Sequence, residues 1–394
     1  MTTLVVWGTR PEAIKLAPVV VALRRARLAV RTCSTGQHRH LRDQAERVFR
    51  LKPDIDLAVM RPDQSLTALT CRVLDAVGSL LDDERPALVV VQGDTTSALA
   101  SALAASYRGI PVAHVEAGLR TGDVGHPFPE ELNRVLVDRI AALRLAPTPR
   151  AASALRAEGL HDGVLVTGNT AIDALRAIRP RPPRSPRIRA LFERHRVLVM
   201  TVHRRESLGR PLEDICRGVL DLLEAHPDTA VLCPVHLNPR VAASVRRTLR
   251  HPRAVLTPPL DYDGLLWAVA HAALVLTDSG GIQEEAPSLG AAIVVLREKT
   301  ERAEGIAAGC ARLAGIARES VFRTADRLLR KPGELERMRA VPNPFGDGRA
   351  APRIAGAIRH FLGEGPRPAE WIPEVPARRA AARRPRSTPE TTRR

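Results

Sequence analysis

Residues 114 to 134, HVEAGLRTGDVGHPFPEELNR, gather four carboxylates (Glu116, Asp123, Glu130 and Glu131) with two histidines, two arginines, three glycines and two prolines. Carboxylates crowded into a cleft raise one another's pKa, which suits general acid and base work. Part of the stretch has a plainer account. Glu130 and Glu131 fall in the first turn of a helix expected from about 129, where negative charge is favourable, and Arg134 is spaced i,i+4 from Glu130. That account leaves out Glu116 and the long irregular middle. Glu116 directly follows a strand-like run, PVAHV, so the stretch is expected to form an active-site wall. Glu116 and Glu130 would face a ligand, while Asp123 and Glu131 serve the loop and the helix start.

Five further stretches carry similar chemistry. GTRPEAIK, 8–15, is a glycine turn leading into a helix start, where exposed amides favour anions and Arg10 and Lys15 add positive charge. TDSGGIQEEAPSLG, 277–290, repeats this arrangement. Ser279, Gly280 and Gly281 would let a diphosphate approach the backbone, and Glu285, about one helical turn on, could grip ribose hydroxyls. VQGDTTSA, 91–98, ends a strand at Asp94, whose commoner use would be as a helix cap. TVHRRES and PVHLNP place His203 and His236 at two more strand ends. A lone histidine is usually structural. Two at the carboxyl ends of strands in one domain, beside a phosphate-like turn, read as ligand contacts.

These residues need elements to hold them. Short apolar runs at 4–7, 28–34, 88–92, 111–115, 143–146 and 164–167 alternate with helix-like stretches near 12–26, 37–49, 65–83, 95–107, 129–140, 149–158 and 170–178. That βαβ rhythm predicts a mostly parallel sheet. RPRPPRSP, 179–186, interrupts it, because proline at this density neither continues a helix nor enters a central strand. The rhythm restarts with strands at 197–202, 230–235, 254–257, 274–277 and 293–296. Helices are expected near 211–225, 239–249, 262–271, 281–289, 319–330 and 349–362. The fold class is therefore α/β: two doubly wound, Rossmann-like domains facing across a cleft. They are expected at 1–178 and 188–365, joined by a linker at 179–187, with the last helix able to pack back on the first domain. The cleft is the default ligand site. Residues 366–394, rich in Pro and Arg, are expected to be disordered.

Composition narrows the function classes. The chain has 394 residues, 44% of them hydrophobic, which supports two buried cores. No apolar run reaches the length of a membrane helix, and the N-terminus lacks the features of a secretory signal. Five scattered cysteines without a CxxC pair argue against a zinc site or a disulfide framework and fit a reducing, cytoplasmic setting. The formal charge of +17 raises nucleic acid as a partner. However, 56 of the 60 basic side chains are arginine, aromatics are 3%, and a net +5 lies in residues 366–394. The basic stretches carry no interleaved aromatics to stack on bases. A basic body suits an anionic substrate better than a nucleic acid.

Taken together, these stretches resemble one family, the non-hydrolysing UDP-N-acetylglucosamine 2-epimerases. GTRPEAIKLAP, TGQH, VQGDTTSALA, HVEAGLRTGD, PFPEELNR, VTGNTAIDAL, TVHRRESLG, PVHLNP, LTDSGGIQEEAPSLG, TER and NPFGDGRA occur in order between residues 8 and 350. The resemblance implies a GT-B-like fold, a homodimer, and interconversion of UDP-GlcNAc and UDP-ManNAc without NAD or metal. UDP would be eliminated to give 2-acetamidoglucal and then re-added. It also implies that Asp94, Glu116 and Glu130 are the catalytic carboxylates, with the base among them left open, and that His203 assists departure of UDP. Arg10, Lys15, Arg134, Ser279, Gly280, Gly281, Glu285 and Arg302 match substrate-binding positions, and His236 joins them from its place at a strand end. Neither nucleic acid nor membrane is an expected partner.

The chain departs from the family pattern where many members carry a second, regulatory UDP-GlcNAc site. Gln37, His38 and Gln64 remain, but His40 and Asp63 do not fit, and an acidic Asp63 is a poor neighbour for a diphosphate. Weak or absent activation by UDP-GlcNAc is expected. Two other enzymes would share the fold: a hydrolysing relative that releases ManNAc and UDP, and a 2-epimerase of a related UDP-sugar. GTRPE and PFPEE favour the non-hydrolysing branch.

Overall fold

A computed structural model describes residues 1–36, 49, 51–61, 64–203 and 208–374. Gln37, His38, His40, Asp63 and most of the helix expected at 37–49 lie outside these residues. Among the described residues, seven strands form one sheet in the order β3-β2-β1-β4-β5-β6-β7, and six form a second in the order β10-β9-β8-β11-β12-β13. Every pairing is parallel. The strands are β1 (Thr2–Trp7), β2 (Ala29–Ser34), β3 (Ile55–Asp56), β4 (Leu88–Gln92), β5 (Val112–Val115), β6 (Leu143–Ala146) and β7 (Val164–Val166) in the first sheet. In the second they are β8 (Arg196–Thr201), β9 (Thr229–Pro234), β10 (Ala254–Thr257), β11 (Leu274–Thr277), β12 (Ile293–Val295) and β13 (Ala311–Leu313).

Both sheets bury apolar side chains on both faces, which is why their strands read as continuous apolar runs rather than alternating ones. In the first sheet Val5 and Val90 pack on one side and Leu4 and Val89 on the other. In the second the opposed sets include Leu198 with Leu276, and Val199 with Val275. The order of strands reverses between β1 and β4 in one sheet and between β8 and β11 in the other. Ligands bind at such switch points, outside the carboxyl ends of the strands.

The helices that position the site are α1 (Arg10–Arg25), α2 (Leu66–Glu84), α3 (Thr96–Ser106), α4 (Glu130–Ile140), α5 (Pro149–Ala157) and α6 (Thr170–Ala177) in the first half. The second half contributes α7 (Pro186–Arg194), α8 (Arg210–Ala225), α9 (Pro239–Thr248), α10 (Tyr262–Ala270), α11 (Gly280–Glu285), α12 (Ala303–Ala308), α13 (Arg318–Arg330), α14 (Pro332–Arg339) and α15 (Ala350–Phe361). Four of the first-half helices, α2, α3, α5 and α6, start on side-chain oxygens. Ser65, Thr95, Thr148 and Asn169 each accept a main-chain N–H of the turn that follows. The helix expected at 281–289 is instead the short α11 followed by a 3-10 turn, Ala286–Leu289, because Pro287 cannot continue the α-helical hydrogen bonds.

Among the described residues, several contacts tie the two halves together away from the strand ends. Tyr262 and Leu266 of α10 pack with Leu175 and Ile178 beneath the cleft. Thr148 donates to Glu304 at 2.6 Å. The chain finally crosses back, and Asp173 of α6 accepts the N–H groups of Ala350 at 3.1 Å and Ala351 at 2.9 Å, capping α15. Ile354 and Ile358 of α15 then join the core under α1.

The expectation of disorder from residue 366 onward is corrected at its start. Trp371 is 6% exposed and packs among Ala117, Leu119, Leu155 and Val166. Its N–H donates to the Val166 carbonyl at 2.8 Å, and the Val166 N–H donates to Glu370 at 3.1 Å. The segment thus covers β7, the edge strand of the first sheet, and satisfies backbone groups that would otherwise be unpaired. One buried aromatic with two edge hydrogen bonds outweighs a composition typical of disordered chains. Residues 375–394 lie outside the described part.

Candidate active site

The structure brings together four ionic groups at the carboxyl ends of the two sheets, two from each half. Glu116 directly follows β5 and takes a left-handed conformation, φ +71°, which is strained for a residue with a side chain. Lys15, one turn into α1, pairs with it. From the second half, Glu284 of α11 lies 2.9 Å from the Lys15 ammonium, and Arg302, ahead of α12, lies 2.8 Å from Glu284 and 3.5 Å from Glu116. All four side chains are no more than 10% exposed. Gln92, at the end of β4, donates to Glu116 at 3.1 Å.

Burial pushes the Glu116 carboxyl above its ordinary value. Lys15 and Arg302 pull the other way, and Glu284 adds to the rise. Burial also acts upward on Glu284, but Lys15 and Arg302 outweigh it and hold that carboxyl low. Burial works against the charge of Lys15 and of Arg302, and the carboxylates around them raise both groups despite it. Glu116 is therefore a carboxyl of raised pKa in a buried set of two carboxylates and two cations.

Asp94 does not cap the helix after β4; Thr95 does, accepting the Ala98 N–H at 3.1 Å. Asp94 instead pairs with buried Arg134, and Asn133 donates to its main-chain carbonyl at 2.8 Å. The pair expected between Glu130 and Arg134 is replaced by one between Glu131 and Arg134 at 3.0 Å. Glu131 also accepts the N–H groups of Thr121 at 2.8 Å and Gly122 at 3.1 Å, so it fastens the loop as anticipated. Glu130 is half-buried at the start of α4, and its carboxylate makes no hydrogen bond or ion pair with a described residue.

Buried His114 on β5 links the turns that carry Asp94 and Glu116. One ring nitrogen lies 2.8 Å from the Gly93 carbonyl, just before Asp94, and the other lies 2.6 Å from Asp138. Asp138 in turn accepts the Gly118 N–H at 3.1 Å, just after Glu116. Glu12 does similar work at the first turn. It accepts the N–H groups of Gly8 at 3.1 Å and Thr9 at 2.7 Å, and Thr95 donates to it at 2.8 Å. Gly8 is obligatory there, because a Cβ would lie 2.2 Å from the Ser97 hydroxyl.

On the second side, His203 and His236 stack with ring centroids 5.5 Å apart at 25°. Asp278 lies 3.0 Å from His203 Nδ1 and accepts the His203 N–H at 2.8 Å. Burial, then the neighbouring His203, lowers the pKa of His236 and keeps it neutral more readily. Ser279 stands at the start of α11, and its hydroxyl makes no cap hydrogen bond. A Cβ on Gly280 would lie 2.9 Å from the Arg302 guanidinium, so glycine lets that cation rest against the turn. A Cβ on Gly281 would meet nothing closer than 3.9 Å.

Glu285, fully buried, is raised to about 7 by burial despite a hydrogen bond from the Tyr262 hydroxyl at 2.6 Å. Burial lowers the pKa of Arg10, which faces the charge of Glu285 from across the cleft. Gln64 lies away from these groups on the approach to α2, accepting from Arg72 and from the Arg61 N–H.

Glu284, Asp278, Glu12 and His114 were not singled out from sequence. Glu284 is overshadowed by the adjacent Glu285, and Asp278 has only its place at a strand end, ahead of Ser279, to mark it. His114 had only its place two residues before Glu116 to mark it, and Glu12 only the helix-start position that any surface glutamate shares.

A family model described as UDP-N-acetylglucosamine 2-epimerase matches residues 21–359. The UDP-N-acetylglucosamine 2-epimerase of Escherichia coli K12 is 43% identical over 371 residues, covering 91% of this chain and 99% of that relative. Among solved structures, a Staphylococcus aureus MnaA–UDP complex superposes with a TM-score of 0.90 at 38% identity, covering 94% of this chain and all of the other. The UDP-GlcNAc 2-epimerase of Neisseria meningitidis bound to UDP-GlcNAc follows with a TM-score of 0.85 at 37% identity, covering 92% and 100%.

Proposed function

The chain belongs to the UDP-N-acetylglucosamine 2-epimerase family, and on that premise we propose that it interconverts UDP-GlcNAc and UDP-ManNAc without hydrolysis. The observation that carries this reading is the buried Glu116 at the meeting point of the two domains. Its pKa is raised by burial, it is flanked by Lys15 and Arg302, and the Ser279–Gly281 turn and two histidines stand on the opposite side.

The chemistry starts at the sugar C2 proton, which is weakly acidic and needs a base of raised pKa. Glu116 takes that proton, the bond between C1 and the diphosphate oxygen breaks, and 2-acetamidoglucal and UDP result. UDP leaves with developing negative charge, which Arg10, Arg302, the Ser279–Gly281 turn and His203 stabilise from fixed positions. Glu130, on the same wall beside the Asp94 carboxylate that Arg134 holds, gives a proton to the other face of C2, and exchange with solvent then reprotonates Glu130 and deprotonates Glu116. The diphosphate oxygen then attacks C1 again, giving the C2 epimer with no net change in atoms or charge. Glu285 holds the ribose and His236 stacks behind His203. A closed cleft keeps UDP and the glucal together between the two steps.

Phosphorus NMR of the reaction tests the non-hydrolysing course. Two diphosphate diester species at constant total concentration are expected. Steady accumulation of UDP beside free ManNAc would move the chain to the hydrolysing branch.

A further inference from the structure

Of the four ionic groups at the centre, Lys15 and Glu116 form one pair within the first domain, and Arg302 and Glu284 form another within the second. The remaining two contacts cross the cleft, Lys15 to Glu284 at 2.9 Å and Arg302 to Glu116 at 3.5 Å. Parted, each domain keeps a self-neutralised pair, and Lys15 serves Glu116 alone. Joined, the set still carries two positive and two negative charges, so all four can be buried together.

We propose that Glu284 is a positioning residue that makes Glu116 an effective base only when the domains meet, by drawing Lys15 partly away and setting a fixed negative charge beside it. This rests on the reading that Glu116 exchanges the C2 proton. The groups that face Glu116 are Lys15 on α1, Gln92 on β4, Glu284 on α11 and Arg302 ahead of α12. Glu284 is the acidic member of the set, and it stays ionised between two cations while Glu116 titrates. An open enzyme would thus hold a weak base and a closed one a strong base, which restrains proton exchange while the cleft is wet.

The test compares Glu284→Gln, which keeps the shape and removes the charge, with Glu284→Asp, which keeps the charge. In Glu284→Gln the acidic limb of the kcat profile is expected to move down by about one pH unit as Glu116 becomes less basic. Its plateau kcat is expected to fall about tenfold or more, with KM changed less than about threefold. Glu284→Asp is expected to keep the limb near its wild-type position. A limb that stays in place in Glu284→Gln, or a KM that rises in step with the loss of kcat, would overturn the proposal.

If the unmodified chain turns over no UDP-sugar, the functional reading fails first, and a carbon NMR titration of the Glu116 carboxyl in the full chain, with and without UDP, then decides. A Glu116 titration that lies lower in Glu284→Gln than in the wild type with UDP bound would uphold the proposal. The same titration in both chains would overturn it.

Discussion

The carboxylate of Asp278 lies 3.0 Å from His203 Nδ1 while accepting the His203 main-chain N–H at 2.8 Å. The His203 ring is thus set against a buried carboxylate just after β8. His203→Ala is expected to lower kcat by roughly 100-fold, the scale of losing one preorganised donor to a developing anion. Asp278→Asn keeps the ring but loosens its orientation, so its loss should be smaller. Steady-state rates of both variants check the order, and a larger loss in Asp278→Asn would contradict it.

Glu285 carries a pH prediction. Its carboxyl is raised to about 7, and the ionised form is the one that accepts hydrogen bonds from ribose hydroxyls. Affinity for UDP should weaken as the pH falls through 7, because protonating Glu285 then competes with binding. Calorimetric titrations of the wild type and Glu285→Gln across this range check it, since any part due to the UDP phosphate persists in the variant. Identical pH dependence in both would remove Glu285 from the ribose.

Arg134 is 3% exposed and pairs with both Asp94 and Glu131. Arg134→Met leaves two carboxylates without their cation, and removing one partner of a buried pair typically costs about 3–5 kcal/mol. A lowered thermal midpoint and loss of turnover are expected together. Full stability with lost activity would show that Arg134 only binds ligand.

The fold was legible because apolar runs buried on both faces and helix-length amphipathic segments alternate. Strands at 143–146, 254–257 and 274–277 stand where the residues placed them. What escaped was short or set by context. Ala311–Leu313 is three residues, Ala303–Ala308 is a single turn and a half, and Pro186–Arg194 begins inside the proline-rich stretch that read as a linker. Proline there serves as a first helical residue, which its rigid φ permits. In the site, Glu116 was legible from its place after β5, but its strained backbone was not. Glu284 was not legible because its partners Lys15 and Arg302 come from points 269 residues before it and 18 residues after it. No local pattern records such a meeting.

The docked segment after α15 gives a prediction about stability. Trp371→Ala should cost about 3–5 kcal/mol, the usual scale for truncating a buried large aromatic. A chain truncated after residue 365 should have a thermal midpoint lower, by a similar margin, than one truncated after 374. Equal midpoints for the two truncations would deny the segment any structural role.

The central claim is that a C2 proton is removed and returned while UDP leaves and re-adds. Proton NMR of the full chain with UDP-GlcNAc in deuterated water tests it most directly. UDP-ManNAc with deuterium at C2 is expected, with deuterium entering the recovered UDP-GlcNAc as the reverse reaction proceeds. Formation of UDP-ManNAc that retains the original C2 proton would contradict it.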